Sequence, residues 1–481
     1  MSARRALQIA LAALVAGCAA GPDYRRPEVA APAAYKEAAG WKRAEPRELS
    51  PRGAWWEVFG DRELDALEAQ AEVSNQNVLL AEAQVRQALA LVRASRAPLF
   101  PSLSAGASVT RGGAPGGLAG GTTAGRIVTN RNAELDLSWE VDLWGRVGRS
   151  VEASEAGAQA SAADLAAARL SAQASLAQSY FQLRALDVGR TLFEDTVAEY
   201  EKSLALTRNR YQAGVVGKSD VVQAEAQLRS TQAQAVDLGV LRAQLEHAIA
   251  SLIGKAPSEF AIERAPLAAR VPQVPPGLPS ELLERRPDVA AAERRVAAAN
   301  AQIGVAEAAF FPSLTLPGVY GSSSTSAAEW FTAPSRYWSI GPSIVLAIFD
   351  AGLRRAQTDQ AIAAYDATVA SYRQTVLTGF QEVEDNLAAL RILEEEAKVQ
   401  ADAVRAAREA VALATNQYKA GTASYLDVVT LQAAKLNNER TEVVILGQRL
   451  SAAVQLIKAL GGGWQGLAAQ QGSASAGGPQ N

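Results

Sequence analysis

This 481-residue chain holds few side chains of the kinds that do chemistry in sets. It has one Cys, Cys18, and one His, His247. A lone Cys forms neither an intrachain disulfide nor a Cys-rich metal site. A lone His excludes a His-pair zinc motif, and no Gly-rich phosphate loop or Ser-His-acid set is evident. No catalytic activity, no cofactor and no metal are therefore expected. Lys and Arg number 47 against 50 Asp and Glu, a net charge of −3, which excludes a strongly basic nucleic-acid binder on overall charge. His247, among Gln and Glu, reads as an ordinary surface residue. What remains is Cys18 and two aspartates, Asp220 and Asp427. Each aspartate lies six residues beyond the glycine of a Tyr-x-Ala-Gly turn, at 211–214 and 418–421.

The elements that place Cys18 come first. Arg4 and Arg5 precede an apolar run from Ala6 to Ala16, interrupted by Gln8, too short for a spanning helix and suited to an export signal. Cys18 follows Leu14-Val15-Ala16-Gly17 directly, which resembles the bacterial lipoprotein processing signal. The resemblance implies cleavage before Cys18, a covalent N-terminal lipid on it, and a mature chain of 464 residues. Ala19, where inner-membrane retention uses Asp, implies the outer membrane.

The prolines place the aspartates. None occurs in 116–256 or in 343–478, and both stretches are rich in Ala, Gln, Glu, Arg and Leu. Helices over Arg149–Tyr211 and Arg354–Tyr418 would each run to roughly 95 Å. Such lengths belong to coiled coils or to helices supporting one another around a tube. The second half repeats the first: Tyr211, Gly214 and Asp220 match Tyr418, Gly421 and Asp427, 207 residues apart. Leu99-Phe100-Pro101-Ser102-Leu103 likewise matches Phe310-Phe311-Pro312-Ser313-Leu314. Each half reads as a helix of about 22 residues, a strand, a linker, a strand, a very long helix, a tight turn and a helix of about 30 to 35 residues. Gly214 and Gly421 suit the left-handed conformation that ends a helix. The resulting division is 1–17 signal peptide, 18–60 N-terminal segment, 61–253 first repeat, 254–285 Pro/Gly-rich joint, 286–460 second repeat and 461–481 flexible tail.

Strands are expected at 102–110, 133–142, 313–320 and 337–348, with loops at 111–126 and 321–328. Leu135, Leu137, Trp139 and Val141 alternate with Glu134, Asp136, Ser138, Glu140 and Asp142, giving one apolar and one acidic row. If the strands span a membrane, four cannot close, so neighbouring chains must supply the rest. Three copies give twelve strands, although two or four copies are not excluded by the count. A soluble hairpin region on a helical stalk fits the alternation equally well.

Further segments resemble the outer membrane factor family, in particular the efflux lipoproteins that serve resistance–nodulation–division pumps. They are Leu283-Glu284-Arg285-Arg286-Pro287-Asp288, Ala308-Ala309-Phe310-Phe311-Pro312, Trp55-Trp56-Glu57-Val58-Phe59, Trp139 to Arg146, and the two turns. The resemblance covers roughly residues 18 to 460. It implies a mixed α and β fold: a homotrimeric outer-membrane β-barrel with four strands per chain, continued by a long α-helical barrel across the periplasm. It implies a periplasmic adaptor and an inner-membrane transporter as partners, and a passive exit duct for drugs or other small toxic compounds. By the same resemblance, Gly214, Asp220 and Gly421 mark turn tips for adaptor docking, and Leu426, Asp427 and Thr430 a periplasmic gate. Thr430 stands where the family typically has Asp, which puts a double ring of aspartates in doubt. Asp427 either lines the gate as a ring of three or caps its helix. The alternative function is a lipid-anchored scaffold or adaptor without a channel.

Overall fold

The computed structural model describes residues 20–38, 54–113, 127–267, 269–272, 274 and 285–463. Cys18, the signal peptide and the tail beyond 463 lie outside them. The chain divides into two compact units. One takes the described residues of Met1–Glu28, Gln84–Ser161 and Ala291–Arg373; the other takes those of Val29–Ala83, Ala162–Ala290 and Gln374–Asn481.

The helices are α1 (Arg62–Ser74), α2 (Gln76–Arg96), α3 (Arg146–Gln212), α4 (Lys218–Leu252), α5 (Pro287–Ala308), α6 (Leu353–Ala420) and α7 (Tyr425–Ala459). Helices α3 and α6 hold 67 and 68 residues, roughly 100 Å each. None of the helices is long and apolar enough to cross a membrane. Helix α1 lies inside the expected first repeat, 61–253, but has no counterpart among its expected elements, which open on the helix seen as α2. Asp61 caps α1, accepting from Glu63 N and Leu64 N at 3.0 and 3.3 Å. Asn75 separates α1 from α2: its Oδ1 accepts from Asn77 N and Val78 N, and its Nδ2 donates to Leu252 O.

The first unit holds the sheet: β1 (Ser102–Gly113), β2 (Ile127–Val141), β3 (Ser313–Ser324), β4 (Arg336–Ile340) and β5 (Ser343–Val345). Its order is β1-β2-β3-β4, all antiparallel, with β5 also on β3. The fourth strand is therefore broken where one continuous strand was expected, at Gly341-Pro342, because Pro has no N–H to offer the ladder. Strands β1 and β3 also run on into the expected loops, to Gly113 and Ser324. The register puts Leu103, Val109, Leu135, Leu137, Trp139, Leu314, Leu316, Tyr320, Trp338 and Ile340 on one face. Asn132, Glu134, Asp136, Ser138, Glu140 and Tyr337 share the other, where the Tyr337 hydroxyl donates to Glu134 Oε2 at 2.7 Å. The apolar face is exposed, with Leu103 at 68% and Trp338 at 72%.

At the sheet-to-helix junction, Trp144 stacks on Phe311 with centroids 4.8 Å apart and donates to Pro312 O at 2.7 Å. Two motifs from opposite halves of the sequence thus meet. Asp142 accepts from Val147 N and Gly148 N at the start of α3, and Glu140 holds Arg146 through both oxygens. The segment from Ala20 lies along this junction: Ala20 N donates to Trp144 O at 2.9 Å, and buried Arg149 reaches Ala20 O, Gly21 O and Asp23. A Cβ on Gly21 would stand 2.4 Å from Gly304 Cα, so the approach requires glycine at 21, whose φ is also +91°.

The second unit is cored by Trp55, Phe59, Leu64, Leu176, Tyr180, Phe181, Ile249, Leu387 and Leu450. Arg184, 1% exposed, donates to Asp187, Glu63 and Glu263 O beneath that core. The Arg286-Pro287-Asp288 stretch begins α5 as expected. Arg286 pairs with both oxygens of Asp288 and with Glu382, bonds that outweigh burial and hold its charge firmly. The second unit also holds both helix turns.

Candidate gate at the helix turns

The two turns have one design. Helix α3 ends at Gln212, Gly214 takes φ +73°, and Val215 N donates to Arg210 O at 2.9 Å. Helix α6 ends at Ala420, Gly421 takes φ +79°, and Thr422 N donates to Gln417 O at 3.0 Å. Nothing lies within 4 Å of where a Cβ on Gly214 would stand. The positive φ is therefore what selects glycine, and the bonds are those of a helix C-terminal cap.

The returning helices begin differently. Gly217 precedes α4 with no side-chain cap, while the Ser219 hydroxyl donates to Asp220 Oδ1 at 3.3 Å. Ser424 caps α7 in a reciprocal box: Asp427 N donates to Ser424 Oγ at 3.3 Å, and Ser424 N donates to Asp427 Oδ2 at 3.0 Å. The Ser424 hydroxyl also donates to Asp427 Oδ2, at 2.7 Å. These bonds from the Ser424 side chain, then its backbone, hold the Asp427 carboxyl below the usual aspartate range. Asp427 is a helix cap, as one sequence reading had it. Capping uses Oδ2, and the residue remains exposed.

Tyr425, Val428 and Val429 turn inward, to a cluster with Tyr200, Leu204, Ala224, Leu228, Ala414 and Tyr418. That burial brings Leu426, Asp427 and Thr430 out on a shared exposed face, with Leu426 57% exposed. Thr430 Oγ1 donates back to Leu426 O at 2.8 Å, so its hydroxyl is occupied by the main chain.

One residue escaped the sequence reading of the site. Arg210 reaches from the first turn to the second: its guanidinium lies 4.4 Å from the Tyr418 ring centroid, and Nη1 donates to Tyr418 O. The Tyr418 hydroxyl contacts Thr207 Oγ1 at 3.4 Å, and its ring packs on Tyr425 at 5.5 Å. The signal available was an Arg just before the first Tyr-x-Ala-Gly, where the second turn has Gln417. His247 is exposed, as expected. Among the described residues, no three His, Cys, Asp or Glu side chains group to hold a metal.

An exposed apolar sheet face, an acidic opposite face and paired helical hairpins with capped tips define an outer-membrane channel protein. The chain belongs to the outer membrane efflux protein family, whose model matches residues 67–255 and 278–462. It is 34% identical over 477 residues to the toluene efflux pump outer membrane protein TtgC of Pseudomonas putida, covering 97% of this chain and 98% of TtgC. It is 33% identical over 473 residues to the pyoverdine export outer membrane protein OpmQ of Pseudomonas aeruginosa, at 97% and 98% coverage. Among solved structures, the outer-membrane channel OprN matches with TM-score 0.87 at 33% identity, over 93% of this chain and all of that one (100%).

Proposed function

We propose that this chain is the outer-membrane exit duct of a tripartite efflux pump, working as a homotrimer with a periplasmic adaptor and an inner-membrane resistance–nodulation–division transporter. The observation that carries the reading is the open sheet. Among the described residues its end strands, β1 on one side and β4 with β5 on the other, leave unpaired edges, and its two faces are apolar and acidic. An open edge is forbidden in hydrocarbon, so the sheet can enter a bilayer only by closing with other copies. Three copies bring twelve strands, the fourth strand of each being β4 and β5 together. The apolar face then meets lipid and the acidic face lines the water-filled lumen. A channel-less scaffold leaves that exposed apolar face unexplained.

In this reading 61–253 and 286–460 are two structural repeats joined by the equatorial segment 254–285. Leu426 constricts the periplasmic end, and three Asp427 carboxylates ring the axis through the oxygen edges left free by capping. Thr430 adds no second acidic ring. The turns at Gly214, Asp220 and Gly421 face the adaptor. Cys18 carries the lipid, consistent with Ala20 being tied to Trp144 at the strand end.

The cargo is small molecules, antibiotics and other toxic compounds among them. TtgC and OpmQ, at nearly equal identity, are named for toluene and pyoverdine. A duct of this kind does not select cargo closely, so the pump decides. The test is electrophoresis and planar-bilayer recording of the purified protein: a heat-modifiable oligomer that forms cation-preferring channels is expected. A helical, monomeric, non-conducting species would end the proposal.

A further inference from the structure

We infer that the far rim of the apolar sheet face is a binding site for the phosphate groups of a phosphorylated, acylated glycolipid of the outer leaflet. This rests on the membrane-spanning reading above. The strand register places Arg111, Arg131 and Arg336 on the same face as Leu103, Leu135, Trp338 and Ile340, yet beyond that apolar band. Arg131 pairs with Val109 and Ser324, Arg111 with Thr129, and Arg336 with Ser322. Arg111 and Arg131 therefore start from diagonal positions on the adjacent strands β1 and β2, and Arg336 from β4, across β3, all at the end of the sheet away from Val141 and α3.

Their depth fits an interface. Val141 and Arg131 stand roughly 34 Å apart along β2, or roughly 26 Å in height at the strand tilt of about 40° usual for such barrels. The apolar band of these barrels is about 25 Å tall, and arginine is tolerated on a lipid-facing surface at its borders. The local charge is one-sided. Among the described residues, Arg111 and Arg336 meet no carboxylate, and Arg131 donates to a main-chain oxygen, Thr325 O, at 2.9 Å. The only charged residue in 325–335 is Glu329. Beside the arginines, Ser322 bonds Trp330 O, and Trp330 stacks on Phe331, which is 66% exposed. Guanidinium forks match phosphate oxygens, and the aromatic pair and the band below match acyl chains.

The test titrates diphosphorylated lipid A, and the same lipid without its phosphates, onto the purified full-length oligomer in detergent, read by native mass spectrometry. About a tenfold preference for the phosphorylated form is expected, falling to near parity in R111Q/R131Q/R336Q. The double variant R111Q/R336Q, which removes no hydrogen bond within the described residues, should lose most of the preference with folding intact. Equal binding of the two lipids by the parent, or a preference unchanged in both variants, overturns the inference. Conductance of the same preparation separates the two readings. Channels without phosphate preference refute this inference alone, whereas a parent that forms no channel refutes the spanning reading and this one with it.

Discussion

Asp427 illustrates how a single side chain serves two ends at the residue scale. Its cap on α7 is built from Ser424, and the same bonds hold its carboxyl below the usual aspartate range. Because the folded-state pKa is depressed, the cap's contribution is present above the unfolded aspartate value, about 3.9, and is lost as pH falls through the lower folded value. The share of the channel's cation preference that comes from Asp427 should therefore persist to pH values below the ordinary aspartate range, and the preference should be weakened in D427A. Bilayer reversal potentials measured across a pH series check this, and unchanged selectivity in D427A would remove Asp427 from the gate. Glu68 shows the opposite sign. It is fully buried on α1, neither oxygen has a hydrogen-bond partner among the described residues, and burial, followed by Asp65 and Glu72, pushes its pKa up to about 9. Between the ordinary glutamate range and pH 9 the folded state holds a proton that the unfolded state releases, so stability falls as pH rises. Glu68→Gln should remove that slope, about 1.4 kcal/mol per pH unit at most, and thermal unfolding from pH 5 to 9 reads it directly.

At the scale of elements, the two helix turns are held together by one cation. Arg210 lies over Tyr418 and bonds its carbonyl, tying the α3–α4 turn to the α6–α7 turn. Loss of the contact in Arg210→Ala should cost about 1 kcal/mol and free the second turn. Faster amide hydrogen exchange over 418–430, with larger conductance, is the expected readout. Exchange matching the parent would mean that the Tyr418–Tyr425–Val428 cluster holds the turns unaided. The turns themselves were legible in the sequence, because a left-handed residue between two helices calls for glycine at both repeats. The Arg210 clasp was not, since it joins residues 208 positions apart. The break in the fourth strand was signalled by Pro342, yet the period-two pattern of Trp338, Ile340 and Ile344 reads straight through it. Helix α1 was missed because it is only 13 residues long and buries a narrow stripe, Leu64, Leu67, Glu68 and Ala71, that includes a carboxylate.

For the molecule as a whole, the two faces of the sheet predict unequal tolerance. Leu135 sits mid-strand on the apolar face, while Ser138 faces the acidic side. Leu135→Arg should destabilise the assembled barrel by about 2–4 kcal/mol, seen as loss of the heat-modifiable oligomer. Ser138→Arg should assemble normally and shift selectivity toward anions. Equal assembly of the two variants would show that the apolar face does not meet lipid.

Length, proline spacing and the duplicated Tyr-x-Ala-Gly turns determined the two very long helices and where they end, because helix breakers and positive-φ residues act locally and leave their mark in sequence. The alternation on β2 likewise marked one face apolar and one acidic, since a strand's side chains alternate whatever it pairs with. Other features needed the tertiary structure, because each depends on groups far apart in sequence. It decided that Trp144 stacks on Phe311, that Ala20 is tied to Trp144, and that Arg210 clasps Tyr418. It also decided which arginines share a face at the far rim of the sheet, a matter of register that no single strand contains.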